Sequence, residues 1–188
     1  MSKVKVGIIG ATGYVGVELI RLLNAHPQVE LSAIGSNSFV DKSITEVYPS
    51  VGIGNDMKCM KNEDVIKNSD LIFTALPHGV SEEFVLQAVK EDKKVVDLGA
   101  DFRLKDETTF KEWYNVSFID KKLHEEAVYG LCEHYKDEIK NAKVIANPGC
   151  YVTSISLPLM PLLKAKLIKK ENIIADSKSG VTGAGRGL

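Results

Sequence analysis

The opening of the chain limits its fold more than any other feature. Lys3–Ile9 reads as a strand and runs straight into Gly10-Ala-Thr-Gly13-Tyr-Val-Gly16. The stretch 13–25 follows, with Val15, Leu19, Leu22 and Leu23 at helical spacing until Pro27 stops it. Strand, glycine-rich turn and amphipathic helix in that order start an α/β unit.

The alternation continues. Val29–Ile34, Asp70–Ala75, Lys94–Leu98, Val144–Ala146 and Ile173–Ala175 read as further strands. Asp70–Ala75 is apolar enough to be buried on both faces. Ser81–Lys90 reads as a helix with Ser81 as its N-cap. The region 99–142 is less regular, with charged helical pieces near 120–126 and 134–141. This pattern predicts a Rossmann-type doubly wound parallel sheet over 1–149. A new unit begins at Cys150, so 150–188 is expected to be the start of an α+β catalytic domain that is cut short.

Charge and hydropathy exclude several classes. The 24 basic and 25 acidic residues are mixed along the chain, unlike the clustered cations of a nucleic-acid binder. The longest apolar stretch, Ile155–Leu163, is interrupted by Pro158 and Pro161 and is too short for a membrane span; Pro158 is expected to kink its helix. The N-terminus enters a strand at once and leaves no room for a signal peptide, so a cytoplasmic location is expected. Cys59, Cys132 and Cys150 are odd in number and form no tight pair, so each is read as a thiol. Cys59 and Cys132 are expected to be buried as small hydrophobes.

The glycine run carries the first chemistry. Glycines let a backbone turn tightly and approach a pyrophosphate, and the next helix aims free N–H groups and its positive dipole end at that charge. Gly10, Thr12, Gly13, Tyr14, Val15 and Gly16 are the cofactor-binding candidates. An NAD site usually presents an acid after the second strand to the ribose hydroxyls. Here Ser36, Asn37 and Ser38 follow, with no acid before Asp41 and a cation at Lys42. Hydroxyls and a cation suit a 2′-phosphate, so NADP is the expected cofactor, with Ser36, Ser38 and Lys42 beside it. No metal is expected.

The second chemistry sits at Asn147-Pro148-Gly149-Cys150. Pro and Gly turn the chain after a strand and put Cys150 in the first turn of a helix. There the dipole and unpaired N–H groups favour the thiolate and can hold an oxyanion. A thiolate beside a nicotinamide suggests displacement of a leaving group from an activated acyl substrate and reduction of the resulting thioester to an aldehyde.

The motifs Gly10–Gly16, Leu76-Pro-His-Gly79, Asp97-Leu-Gly-Ala-Asp-Phe-Arg-Leu104, Tyr129-Gly-Leu131, Asn147–Tyr151 and Ser179–Arg186 occur in that order. Together they resemble the N-acetyl-gamma-glutamyl-phosphate reductase family over the whole chain. The resemblance implies an NADPH-dependent enzyme of arginine biosynthesis, acting on a small acyl phosphate and assembled as a homo-oligomer. It implies Cys150 as nucleophile, and Pro77, His78, Gly79, Ser179, Gly180 and Gly183 beside the cofactor. Arg103, Asn147 and Ser179 would meet the substrate; a local ion pair between Asp101 and Arg103 is the alternative reading. The chain departs from the family pattern at Cys132 and Val152, where proline is more usual. The family's acid/base histidine lies beyond the Gly-Ala-Gly-Arg segment, so His26, His78, His124 and His134 are expected on the surface or in loops. A reductase of aspartate semialdehyde or of a carrier-bound acyl phosphate, and a non-catalytic nucleotide-binding module, are the alternatives.

Overall fold

The computed structural model describes residues 2–51 and 56–185. Its centre is a six-stranded, wholly parallel sheet. The strands are β1 (Val4–Ile9), β2 (Val29–Gly35), β3 (Leu71–Thr74), β4 (Lys94–Asp97), β5 (Val128–Tyr129) and β6 (Val144–Ala146), in the order β2-β1-β3-β4-β6-β5. The helices are α1 (Tyr14–Asn24), α2 (Ile44–Val47), α3 (Asn62–Lys67), α4 (Ser81–Lys90), α5 (Glu107–Tyr114), α6 (Lys121–Glu126), α7 (Cys132–Asn141) and α8 (Cys150–Lys164). A short 3-10 turn, Val181–Ala184, follows.

Strand alternation builds the core on both sides of the sheet. Ile8 joins Ala11, Ile20, Ile34, Ile44 and Cys59 in one cluster. Its neighbour Ile9 joins Val65, Ile66, Ile72, Val85 and Val95 in the other. Both isoleucines are fully buried, and each contributes roughly 2–3 kcal/mol from that burial. A sheet covered on both faces explains why its strands read as nearly continuous apolar runs.

From β1 the chain steps outward to β2 on one side and to β3 on the other. The strand order therefore reverses beside β1, and the crevice outside the strand ends at such a point is where open α/β sheets bind ligands. Parallel register pairs Ile9 with Thr74, Thr74 with Asp97, and Asp97 with Ala146. The C-terminal ends of β1, β3, β4 and β6 thus lie level along one edge.

Several expectations fail. Ile173–Ala175 is not a strand: no strand lies beside it among the described residues, and Ile174 is 94% exposed. Ser81 is the first residue of α4 rather than its N-cap, which is Val80, and the Ser81 side chain is buried. Cys132 is exposed, because it opens α7, a helix with no buried residue. The helix α8 runs from Cys150 to Lys164 with Pro158 and Pro161 inside it. Both prolines are exposed, so the carbonyls they leave without an N–H partner lie on the solvent side of the helix. Cys59 is buried as expected, and burial pushes its thiol up.

Candidate active site

Four turns project from the C-terminal edge of the sheet: 10–13 after β1, 75–80 after β3, 98–103 after β4 and 147–149 after β6. Adjacent strands lie about 4.8 Å apart, so three spacings separate the first turn from the last by ~14 Å. An extended dinucleotide lying across the strand ends covers a span of that order.

The first turn is built by its glycines. Gly10 adopts φ +82°, and a Cβ there would lie 2.4 Å from the Ala75 carbonyl oxygen. A Cβ on Gly16 would meet the Gly10 carbonyl oxygen at 2.3 Å, so this residue lets α1 pack against the turn. Gly13 is different, since a Cβ would make only an ordinary 3.5 Å contact with Gly10. The Gly10 and Ala11 N–H groups donate to the Gly35 carbonyl at 3.2 and 2.9 Å, tying the turn to the end of β2. Thr12 and Ser36 share a hydroxyl–hydroxyl bond of 2.9 Å, and Tyr48 donates to the Thr12 carbonyl at 2.9 Å. Ser36 is buried and braces the turn, whereas Ser38 and Lys42 are exposed beyond β2. Tyr14 and Val15 open α1 and are also exposed.

Helix termini show a clear electrostatic contrast. Among the described helices, α2 and α5 have both a side-chain cap and an acid in the first turn. The others, apart from α1 and α8, have at least one of the two: a capping Asp120 on α6, acids on α3, α4 and α7. The helices α1 and α8 have neither; each is preceded by a glycine N-cap, Gly13 and Gly149. Their N–H groups and positive ends are left without a compensating carboxylate, as anion sites require. The residues at α1 therefore fit the diphosphate of a dinucleotide.

Cys150 is the first residue of α8 and is exposed. Thr153 donates to the Gly149 carbonyl through both its N–H (3.0 Å) and its hydroxyl (2.9 Å), fixing the first turn behind the thiol. The Asn147 N–H donates to the Asp97 carbonyl at 2.8 Å, extending the β4–β6 ladder to the foot of this turn. The Asn147 amide donates to the Pro148 carbonyl at 3.1 Å.

Between the cofactor-side turn and the cysteine lies a buried polar cluster. Asp97 accepts from the Thr74 hydroxyl (2.7 Å) and the Gly99 N–H (3.2 Å). Burial pushes its carboxyl above the usual range, against the pull of Thr74, Ser81 and Gly99. Asp101 accepts the Gly79 N–H, and it too is pushed up, first by burial and further by repulsion from Asp97 and Glu82. Arg103 makes no ion pair with Asp101. Its guanidinium donates to the carbonyls of Asn147 and Leu98.

Pro77, His78 and Gly79 are exposed on the second turn, and the His78 ring lies 5.5 Å from that of Tyr114. Ser179, Gly180 and Gly183 lie in the exposed tail; Ser179 donates to the Gly180 carbonyl at 3.2 Å, and a Cβ on Gly180 would meet nothing within 4 Å. The structure does not bring these three against the strand ends. Arg186 lies outside the described residues.

One histidine departs from expectation. His124 is fully buried, with its ring 3.4 Å from that of Phe118 and 4.7 Å from that of Phe102. Its Nε2 lies 3.0 Å from Glu82 Oε1 but off the line of a hydrogen bond. Glu82 Oε1 also accepts the N–H groups of Ile119 and Asp120. The charged run around 121–126 hid this residue, because its aromatic neighbours come from distant segments. His26 is exposed, and His134 is half-buried beside Lys164.

A parallel doubly wound sheet, a glycine-built turn on an uncompensated helix end and a thiol on a second such end define a dinucleotide-binding domain with an exposed thiol at its edge. Residues 5–142 match the family described as semialdehyde dehydrogenase, NAD binding domain, and the chain belongs to that family. Residues 150–188 match the semialdehyde dehydrogenase, dimerisation domain. The chain is 53% identical to the N-acetyl-gamma-glutamyl-phosphate reductase of Clostridium beijerinckii, over 98% of this chain and 54% of that protein. It is 50% identical to the reductase of the same name from Pelotomaculum thermopropionicum, with the same coverage. The chain thus spans about half the length of the curated relatives it matches. Among solved structures it is similar in fold to aspartate semialdehyde dehydrogenase with NADP from Candida albicans, with TM-score 0.62 and 20% identity over 86% of this chain and 47% of that one. Aspartate semialdehyde dehydrogenase II complexed with ASA from Vibrio cholerae gives TM-score 0.63 and 18% identity over 87% and 47%. Among the described residues, no helix is long and apolar enough to cross a membrane.

Proposed function

We propose that this chain is the dinucleotide-binding and nucleophile-bearing part of an NADPH-dependent reductase. It converts N-acetyl-glutamyl 5-phosphate to N-acetyl-glutamate 5-semialdehyde and phosphate, a step of arginine biosynthesis. Residues 1–149 form the cofactor domain and 150–188 begin the catalytic one, through which the full-length protein assembles as a cytoplasmic homo-oligomer. The observation that carries the reading is the placement of Cys150: exposed, first in α8, on a helix end with no acid, and level with the cofactor turn. Identity of about half to relatives named N-acetyl-gamma-glutamyl-phosphate reductase supports this substrate among related acyl phosphates.

The Cys150 thiolate attacks the acyl carbonyl, and the α8 N–H groups hold the oxyanion that forms. Phosphate leaves and a thioester remains on Sγ. The cofactor, when bound, would supply the hydride that reduces the thioester, and Cys150 Sγ, released as the thiolate, would free the aldehyde. The N–H groups at α1 would hold the diphosphate, and Ser38 and Lys42 would hold the 2′-phosphate. Pro77, His78 and Gly79 border the nicotinamide half.

The test is phosphate-dependent reduction of NADP by N-acetyl-glutamate 5-semialdehyde, comparing the full-length protein, with its C-terminal continuation, and its Cys150→Ser variant. Loss of at least ~10⁴-fold in the variant supports the reading, as for other enzymes stripped of their nucleophile. Equal rates in the two proteins overturn it.

A further inference from the structure

The loop after β4 touches both halves of the site. At its far end Arg103 spans two strands. Nε donates to the Asn147 carbonyl at 2.8 Å and Nη2 to the Leu98 carbonyl at 2.9 Å. A Cβ on Gly149 would lie 3.3 Å from Nη1, so the guanidinium runs along the main chain of 147–149. The donor fork of Arg is planar and rigid, so two fixed carbonyls fix the plane of the group. Leu98 directly follows β4, whose last residue, Asp97, is anchored to Thr74. Asn147 begins the turn that sets down Cys150 as the first residue of α8. One side-chain hydrogen bond, to the Asn147 carbonyl, and the residues Asn147, Pro148 and Gly149 therefore connect the guanidinium to the thiol.

We propose that Arg103 is a positioning residue for Cys150: it clamps the Asn147–Gly149 turn to the end of β4 and so sets where the nucleophile stands relative to the α8 N–H groups. This rests on the reading of Cys150 as the nucleophile. It assigns Arg103 an action through the protein backbone, before any substrate binds. Gly149 is part of the same device, because a side chain there would press on the guanidinium.

The experiment measures alkylation of Cys150 by iodoacetamide across pH, without substrate, in the full chain and in its Arg103→Ala and Arg103→Lys variants. Alkylation is located by peptide mass, and NADP titration checks that each variant is folded. The clamp predicts that Arg103→Ala changes the Cys150 alkylation rate about tenfold or more and moves its pH midpoint, with NADP affinity unchanged; a charge-assisted hydrogen bond is of that size. Steady-state turnover falls mainly in kcat, with KM for the acyl phosphate within about twofold, as for loss of an interaction beyond substrate binding. Arg103→Lys does not restore the rate, because an ammonium cannot hold two carbonyls in one plane. Free guanidinium added to Arg103→Ala restores part of it. Alkylation unchanged from wild type, with KM raised instead, overturns the proposal and makes Arg103 a substrate contact. Full rescue by lysine also overturns it, in favour of charge alone. Alkylation needs no turnover, so failure of the Cys150 reading, seen in the serine variant, is distinguished from failure of the clamp.

Discussion

Both carboxylate oxygens of Asp101 lie 3.0 Å from the N–H of Gly79, which donates to them from a left-handed backbone conformation at φ +80°. A buried acid thus occupies the N-terminal end of α4 and holds the turn that carries Pro77 and His78. Replacing Asp101 with Ala is expected to destabilise the fold by roughly 1–3 kcal/mol, the size of a hydrogen bond between an N–H and a carboxylate. Urea unfolding of the two proteins checks this. An unchanged midpoint would mean that the contact holds nothing.

Asp97 and Asp101 make stability depend on pH. Burial raises both carboxyls above their unfolded values near pH 4, so their stabilising contribution is complete below that pH and is lost as pH rises through the raised values. Asp97→Asn keeps an acceptor for Thr74 and Gly99 and cannot ionise. The variant is therefore expected to gain on wild type as pH rises from about 4 through the raised value of the Asp97 carboxyl. A stability difference independent of pH would contradict the assignment.

His124 supports the same region from behind. Truncating a fully buried ring stacked on Phe118 is expected to destabilise by roughly 3–5 kcal/mol, as for other buried rings. His124→Phe keeps most of the volume and should recover much of that loss. Denaturant midpoints for the two variants make the comparison, and equal losses would mean that the Glu82 contact outweighs packing.

Glycines of the first turn separate fold from ligand binding. A Cβ on Gly10 meets a carbonyl at 2.4 Å in a positive-φ conformation, so Gly10→Ala is expected to destabilise the apo protein by about 1–3 kcal/mol. Gly13→Ala meets only an ordinary contact and should change stability by about 1 kcal/mol or less. It should still weaken NADP binding about tenfold or more, because the methyl group enters the space a diphosphate needs. Paired melts and titrations of the two variants decide this.

The 2′-phosphate assignment has its own test. Lys42→Ala is expected to weaken NADP several-fold while leaving NAD unchanged, as befits one exposed cation on a phosphate. Equal losses for both cofactors would remove Lys42 from the site.

Much of this was readable from residues alone, for a physical reason. Strands buried on both faces announce themselves as apolar runs, so β1 to β4 and β6 were found with small shifts at their ends. The two residues of β5, Val128 and Tyr129, are too few to show a period. Ile173–Ala175 carries the same apolar signal but has no neighbouring strand among the described residues, and pairing is not written in one segment. Cys150 was legible because Pro148 and Gly149 mark the turn locally. The partners of Arg103, the burial of His124 and the role of Asp101 were not, since each depends on residues 5 to 44 positions away brought together by the sheet.

The central claim is that Cys150 carries the acyl group. It is tested by mixing the full chain with N-acetyl-glutamyl 5-phosphate in the absence of NADPH, quenching in acid and mapping the peptides by mass. The account predicts an N-acetyl-glutamyl adduct on the Cys150 peptide that hydroxylamine removes and Cys150→Ser abolishes. An adduct on Cys59 or Cys132, or turnover with no adduct in the serine variant, would contradict it.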